Sequence, residues 1–331
     1  MRVVFYFCKN ISILFVLSLS VLSLHTIASS VGIQNGQLII GPPNELQNPL
    51  NQLSARSIKL ELSTKEFVGV IDQPTLVVLI SFADQKISTE LSEWENRIFK
   101  NEFSVKTFFE NNSLGSFQVV PATTTGIIEI ELDINHPDFG SQYAKSTELA
   151  NQALIEVAKQ IDLSDFDTNQ NKIIEIRELA FVFVGAGFEK SFGGDNASHP
   201  NIWGHQSSSY LLAEDYRISG YVLFGEKHGS KQASIGIICH ELGHLYFNLP
   251  DLYDRDGSSA GAGNWGVMSY GTWGSSGNQM GDRPVNMLAW SRQKIGFVEL
   301  ADPEESKIIT TDAPVKISTD NPSEYFIVEY R

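Results

Sequence analysis

The sequence predicts an α+β domain. Short, continuously apolar runs bounded by polar turns read as strands buried on both faces. Stretches with apolar residues three and four apart read as amphipathic helices, and the two kinds alternate along the chain without an internal repeat. With 331 residues, 42% of them hydrophobic and 19% charged, the chain can build one large core and is too apolar for wholesale disorder. A net charge of -15 at pH 7 argues against nucleic acid as a partner, because phosphates would repel it, and against anionic membrane surfaces.

The first element is a leader. Arg2 and Lys9 precede an apolar stretch, Ile11 to Leu24, and then the small-residue run Thr26-Ile27-Ala28-Ser29-Ser30. The stretch is shorter than the ~20 residues that span a bilayer. This is the layout of a secretory signal peptide, placed at residues 1–28. The expectation is an extracellular protein with no stable membrane insertion after cleavage. Removing the leader takes away Cys8 and leaves Cys239 alone. No intrachain disulfide can then form, so packing or bound metal must hold the fold. Residues 29–65, with Asn-Gly, Pro-Pro and weak periodicity, read as a linker or pro-segment, and residues 66–331 as one folded domain.

Within that domain, Pro74 to Ala83 (PTLVVLISFA) reads as a strand buried on both faces. Glu90 to Phe109 has helical spacing, with Leu91, Trp94, Ile98, Phe99, Phe103 and Phe108 as candidate core positions. Ser116 to Pro121 and Gly126 to Asp133 alternate and read as strands. Ser146 to Ile161 reads as a helix with Leu149, Ala153, Leu154, Val157 and Ile161 on its apolar stripe. Leu179 to Val184 and Tyr221 to Phe224 are further strands, Ile235 to Phe247 an apolar helix, Gly257 to Gly281 a Gly/Ser-rich loop, Val285 to Lys294 a helix, and the chain from Lys307 is strand-like.

The helix at Ile235–Phe247 contains His240-Glu241-Leu242-Gly243-His244. Histidines four apart share a helix face, so both imidazoles can reach one Zn2+ at about 2.0–2.1 Å. Glu241, beside the first histidine, can take a proton from a water at the metal. Asn248 tolerates a left-handed helix end and Pro250 cannot continue a helix, so the chain turns there. Asp251 then follows as a third ligand that leaves a fourth position open, with Asp254 or Asp256 as alternatives. Downstream, Trp265 to Gly271 (WGVMSYG) is a glycine-flanked turn around Met268, and Tyr270 is a candidate donor to an oxyanion. Cys239, His199, His205 and His228 read as structural or solvated.

These residues resemble the immune inhibitor A family of secreted bacterial metalloproteases. The likeness runs through Pro74–Asp84, Asn101–Pro121, Phe181–Gly187, Ile202–His205, His240–Asp254 (HELGHLYFNLPDLYD), Asn264–Gly271 and Ala289–Val298. It implies a zincin or metzincin-like metalloprotease domain with a mixed sheet, an active-site helix and a Met-turn at Met268. It implies His240, His244 and Asp251 as zinc ligands, Glu241 as general base, protein or peptide substrates, and a domain that continues past Arg331. One difference stands out: Leu245-Tyr246-Phe247-Asn248 is one residue longer than the family's spacer, and Asn248 replaces its turn glycine.

A second pattern lies at Asp165 to Glu178. Counted from Asp167, positions 1, 3, 5, 9 and 12 are Asp167, Asn169, Asn171, Glu175 and Glu178, close to a calcium-binding loop. Position 6 is Lys172 instead of glycine, and a strand follows instead of a helix. The expectation is a structural Ca2+ held by Asp165, Asp167, Asn169, Asn171, Glu175 and Glu178. Taken together, the sequence is expected to act as a monomeric, secreted zinc endopeptidase. The alternative is a catalytically silent, calcium-stabilised binding module on the same fold.

Overall fold

The computed structural model describes residues 69–302, 312–321 and 323–330, with the backbone of 3–8, 33–34 and 37–38. Most of the leader and of the 29–65 segment lies outside the described residues. The main sheet is built around strand β1, Ile71–Phe82. Every residue from Leu76 to Ile80 is fully buried, which is why this run carries no polar alternation. Along one edge β1 pairs in parallel with β2 (Phe117–Pro121) and then β3 (Ile127–Leu132); along the other it pairs in parallel with β4 (Ala180–Glu189). The edge strand β5 (His205–Ser207) runs antiparallel to β6 (Tyr221–His228), which is parallel to β4.

The two faces of this sheet bury different partners. Val77, Leu79, Val182, Val184, Val222 and Phe224 point to one side, into a core shared with Ile237, Ile238, Leu242 and Tyr246. Leu76, Val78, Ile80, Phe181, Phe183 and Leu223 point to the other, against Leu149, Ala153, Leu154 and Val157. The helices that supply those residues are α4 (Ile235–Phe247) and α3 (Tyr143–Ala158). Near the carboxyl end, Tyr325–Tyr330 pairs antiparallel with Val315–Ser318 and with the backbone of Val3–Cys8.

Four expectations need correction. The helical stretch from Glu90 is broken: α1 (Leu91–Glu95) runs into a wide turn at Asn96–Lys100, and α2 (Val105–Asn112) starts afresh, capped by Ser104 whose hydroxyl accepts from Thr107 N–H. Phe103 falls in the break and is 45% exposed, with Arg283 stacked on its ring, so it is not a core residue. The last described helix, α5, covers only Ala289–Lys294; Val285–Leu288 is not helical. Strands β4 and β6 run several residues past their apolar stretches, because pairing with a buried neighbour continues through Gly185 and Gly225.

His199 is an exposed partner of Asp138, 2.8 Å away, but His205 and His228 are buried. Burial lowers the pKa of His205 to about 4 and, helped by the charge of Arg97, that of His228 to about 3. Both rings are neutral in the native state, while an unfolded histidine takes up a proton near pH 6.5. Their contribution is intact above pH 6.5 and is lost as pH falls towards 4, at about 1.4 kcal/mol per group per pH unit. Urea denaturation of metal-free protein from pH 7 to pH 4.5 is expected to show that loss. His228→Asn should remove its own share of that loss, about 1.4 kcal/mol per pH unit below pH 6; an unchanged slope refutes the assignment.

Candidate metal centre

Helix α4 is apolar on nearly every face because it lies under the sheet and beneath later loops. Two glycines let it sit there. A Cβ on Gly236 would meet the Thr272 carbonyl oxygen at 1.9 Å, and one on Gly243 would meet Met268 Sδ at 2.6 Å. Met268 therefore packs directly under the turn that separates His240 from His244. The helix stops at Phe247, and Asn248 takes the left-handed conformation (φ 51°, ψ 37°), its N–H bonded to the His244 carbonyl at 2.8 Å.

That stop brings Asp251 back over the helix. His240 Nε2 and His244 Nε2 are 3.1 Å apart, and Asp251 Oδ1 is 3.2 and 3.1 Å from them. Donors on a tetrahedral ion with bonds of about 2.0–2.1 Å stand about 3.3 Å apart, so this triangle fits one zinc-sized cation. The ring orientations fit too. His240 Nδ1 is 2.8 Å from Val267 O, and His244 Nδ1 is 2.5 Å from Leu249 O. A carbonyl can only accept, so each Nδ1 carries the hydrogen and each Nε2 presents its lone pair to the common point. The pocket also favours positive charge. Burial opposes a proton on His244, yet Asp251 outweighs it and raises the pKa; burial likewise opposes ionisation of Asp251, and His244 first among its neighbours holds its carboxyl well below the usual range.

Glu241 follows His240 into the same pocket and is almost fully buried. Burial raises its pKa to about 7, against the opposing pull of His240, and the backbone N–H of Gln206 on β5 faces it. A carboxyl poised there can both accept and return a proton near neutral pH.

The alternatives to Asp251 lie elsewhere. Asp254 accepts from the N–H groups of Asp256 and Ser259 and from Ser258 Oγ, folding its own loop, and neither it nor Asp256 joins the histidines. Tyr270 stands on a short 3-10 turn, and its ring stacks on Tyr253 (6.1 Å, 18°), which stacks in turn on His240 (6.3 Å, 21°). Tyr253 and Arg255, which pairs with Asp251 Oδ2, are members of the site that sequence spacing alone does not single out. Their only signal is proximity to Asp251.

At the other acidic pattern, the loop brings five residues together. Asn171 and Asn169 side-chain amides donate to Glu175, Asp167 accepts from the N–H groups of Asn171 and Lys172, and Glu178 accepts from Thr168 and from Glu175 N–H. Lys172 adopts φ 63° where glycine is usual. Asp165 stays outside this group, exposed on the preceding 3-10 turn.

Gly243→Ala tests the packing beneath the histidines. The added methyl must push Met268 aside, and overpacking of this kind typically costs about 1–3 kcal/mol. The urea midpoint of metal-free protein is expected to fall accordingly; an unchanged midpoint means that Met268 moves freely.

No curated protein matches the chain. Residues 85–298, from just after β1 to just past α5, match the immune inhibitor A peptidase M6 catalytic domain. The match covers well over half of the sequence and includes every residue of the His-His-Asp triangle, and the chain belongs to the immune inhibitor A peptidase M6 family.

Proposed function

We propose that this protein is a secreted zinc endopeptidase that cleaves peptide bonds within proteins. The observation that carries the reading is the triangle of His240 Nε2, His244 Nε2 and Asp251 Oδ1, each within 3.2 Å of the next, beside the buried carboxyl of Glu241. Zinc bound there supplies Lewis acidity, acidifying a water and polarising a carbonyl. The protein's own groups do the rest. The Nδ1–H groups of His240 and His244 are committed to Val267 and Leu249, which fixes the tautomer whose Nε2 lone pair faces the shared point. Glu241 takes a proton from the attacking water and delivers it to the departing amine nitrogen, a double role suited to a pKa of about 7.

Strand β5 supplies the place for the substrate. It is the antiparallel edge of the main sheet, and an edge offers backbone N–H and C=O groups to an extended peptide. Its Gln206 N–H faces Glu241, so a chain added there passes the proton acceptor. Tyr270 is assigned the oxyanion: it is the outer ring of the stack that begins on His240, and a phenol is protonated at neutral pH and able to donate. Met268, packed under Gly243, takes the part of the Met-turn. Nothing favours a silent binding module, since the base and all three donors are in place.

Glu241→Gln keeps the shape of the pocket and removes the base. Casein hydrolysis should fall by about 10²–10⁴ or more, while the protein still binds one zinc ion. Parental cleavage by this variant sinks the mechanism.

We also propose a structural calcium ion in the loop from Asp167 to Glu178, supported by the convergence of Asp167, Asn169, Asn171, Glu175 and Glu178. Partial burial and the neighbouring Glu178 raise the pKa of Glu175, while at Glu178 burial is outweighed by hydrogen bonds from Glu175 and Thr168 that lower its pKa, as expected for two crowded carboxyls that share a proton. In the Glu241→Gln background, which avoids self-digestion, calcium should raise the Tm. Glu178→Gln should abolish the gain, and equal gains in both proteins refute the site.

A further inference from the structure

Asp251 is the least constrained of the three donors. His240 and His244 stand on a helix, and each ring is tied by its Nδ1–H to a backbone carbonyl. Asp251 stands in a loop without regular structure, and its carboxylate offers two equivalent oxygens. The backbone does not decide which oxygen faces the histidines, or whether both do. Two oxygens on one ion would fill the position that the reaction needs open.

The side chain of Arg255 settles this. Asp251 Oδ1 faces His240 and His244, while Oδ2 is taken by Arg255 Nη2. We propose that Arg255 is a positioning residue of the metal centre: by holding Oδ2 it fixes the Asp251 carboxylate with Oδ1 turned to the two histidines. The inference rests on the zinc reading given above.

Three features separate this pair from an ordinary surface salt bridge, which contributes little. The Asp251 side chain is only 12% exposed, so its end of the pair lies largely out of water although the Arg255 side chain is 57% exposed. The guanidinium carbon of Arg255 lies 6.0 Å from the centre of the Tyr253 ring, and that ring stacks on His240, so the arginine is braced by the same group that flanks a ligand. The pocket also gathers two carboxylates, Asp251 and Glu241, and the charge of Arg255 offsets one of them before any cation arrives.

The test is zinc affinity, measured on the whole protein by competition with a chelator. The parent must first bind one zinc ion; if it does not, the zinc reading itself fails. Arg255→Ala is expected to bind zinc roughly 10–100-fold more weakly, the usual effect of losing a partner of a metal ligand. Arg255→Lys should recover most of that loss, because an ammonium can still hold Oδ2. In an Asp251→Ala background, Arg255→Ala should change the affinity no further, since the arginine acts only through the aspartate. The inference is overturned if Arg255→Ala binds zinc within twofold of the parent, or if its loss adds in full to that of Asp251→Ala. It is equally overturned if the metal-free variant melts lower in step with the lost affinity, which would mark a merely structural role.

Discussion

Two backbone carbonyls, Val267 O and Leu249 O, are the constraint on which the rest of the site depends. Each accepts the Nδ1–H of one histidine and thereby turns the other ring nitrogen towards a shared point. Neither carbonyl belongs to the helix that carries the histidines, so the chain must bring both back to it. Leu249 arrives through the left-handed turn at Asn248. Val267 arrives because Met268 seats against Gly243, and because Leu252 N–H donates to Met268 O at 2.7 Å. The loop that bears Asp251 and the segment that bears Val267 are therefore stitched to each other as well as to the helix. A shift of the first would move Asp251 together with the carbonyl that orients His244, and a shift of the second would turn His240.

The sheet provides the platform on which this assembly rests. Thr75 on β1 and Tyr246 on α4 share a buried hydrogen bond of 2.8 Å, which pins the helix to the central strand. Two carboxylates that look like surface charge in the sequence are interior. Glu226 accepts from the N–H groups of Ser88 and Thr89 and from Ser88 Oγ, holding the loop after β1. Glu189 accepts from Gly204, Ser191 and Phe192 N–H, and Gly204 immediately precedes β5. The acid excess of the chain thus includes groups that gather backbone donors where no strand or helix can satisfy them. One of them sets the edge strand beside Glu241.

The parts of the site that were legible in the sequence are those set by local geometry. Histidines four apart share a helix face wherever the helix forms, and an Asn followed by Leu-Pro ends a helix regardless of its surroundings. The continuous apolar runs at Leu76–Ile80 and Phe181–Val184 required two covered faces, and the sheet supplies them. What could not be read depends on contacts between distant segments. Phe103 has the spacing of a core residue, but Asn101–Ser104 interrupt the helix and turn it outward. Arg255 looks like one more loop charge until the turn at Asn248 sets Asp251 against it. Gln206 carries no signal at all, since its role comes from the pairing of β5 with β6 and the packing of α4 below.

The four residues between the second histidine and Leu-Pro-Asp, Leu245 to Asn248, show how such local and distant constraints meet. Helix α4 runs through Phe247, and the left-handed position falls on Asn248. Asn is among the few residues other than glycine that adopt this conformation at small expense. The helix ends where the loop needs it to, because the Leu249 carbonyl reaches His244 and Asp251 Oδ1 lies 3.1 Å from its Nε2. The last aromatic of the spacer is used as well: Phe247 packs edge-on against Phe117 and Phe297, joining the helix end to β2 and to the segment after α5. One turn thus serves both purposes, anchoring the helix terminus by packing and closing the His-His-Asp triangle.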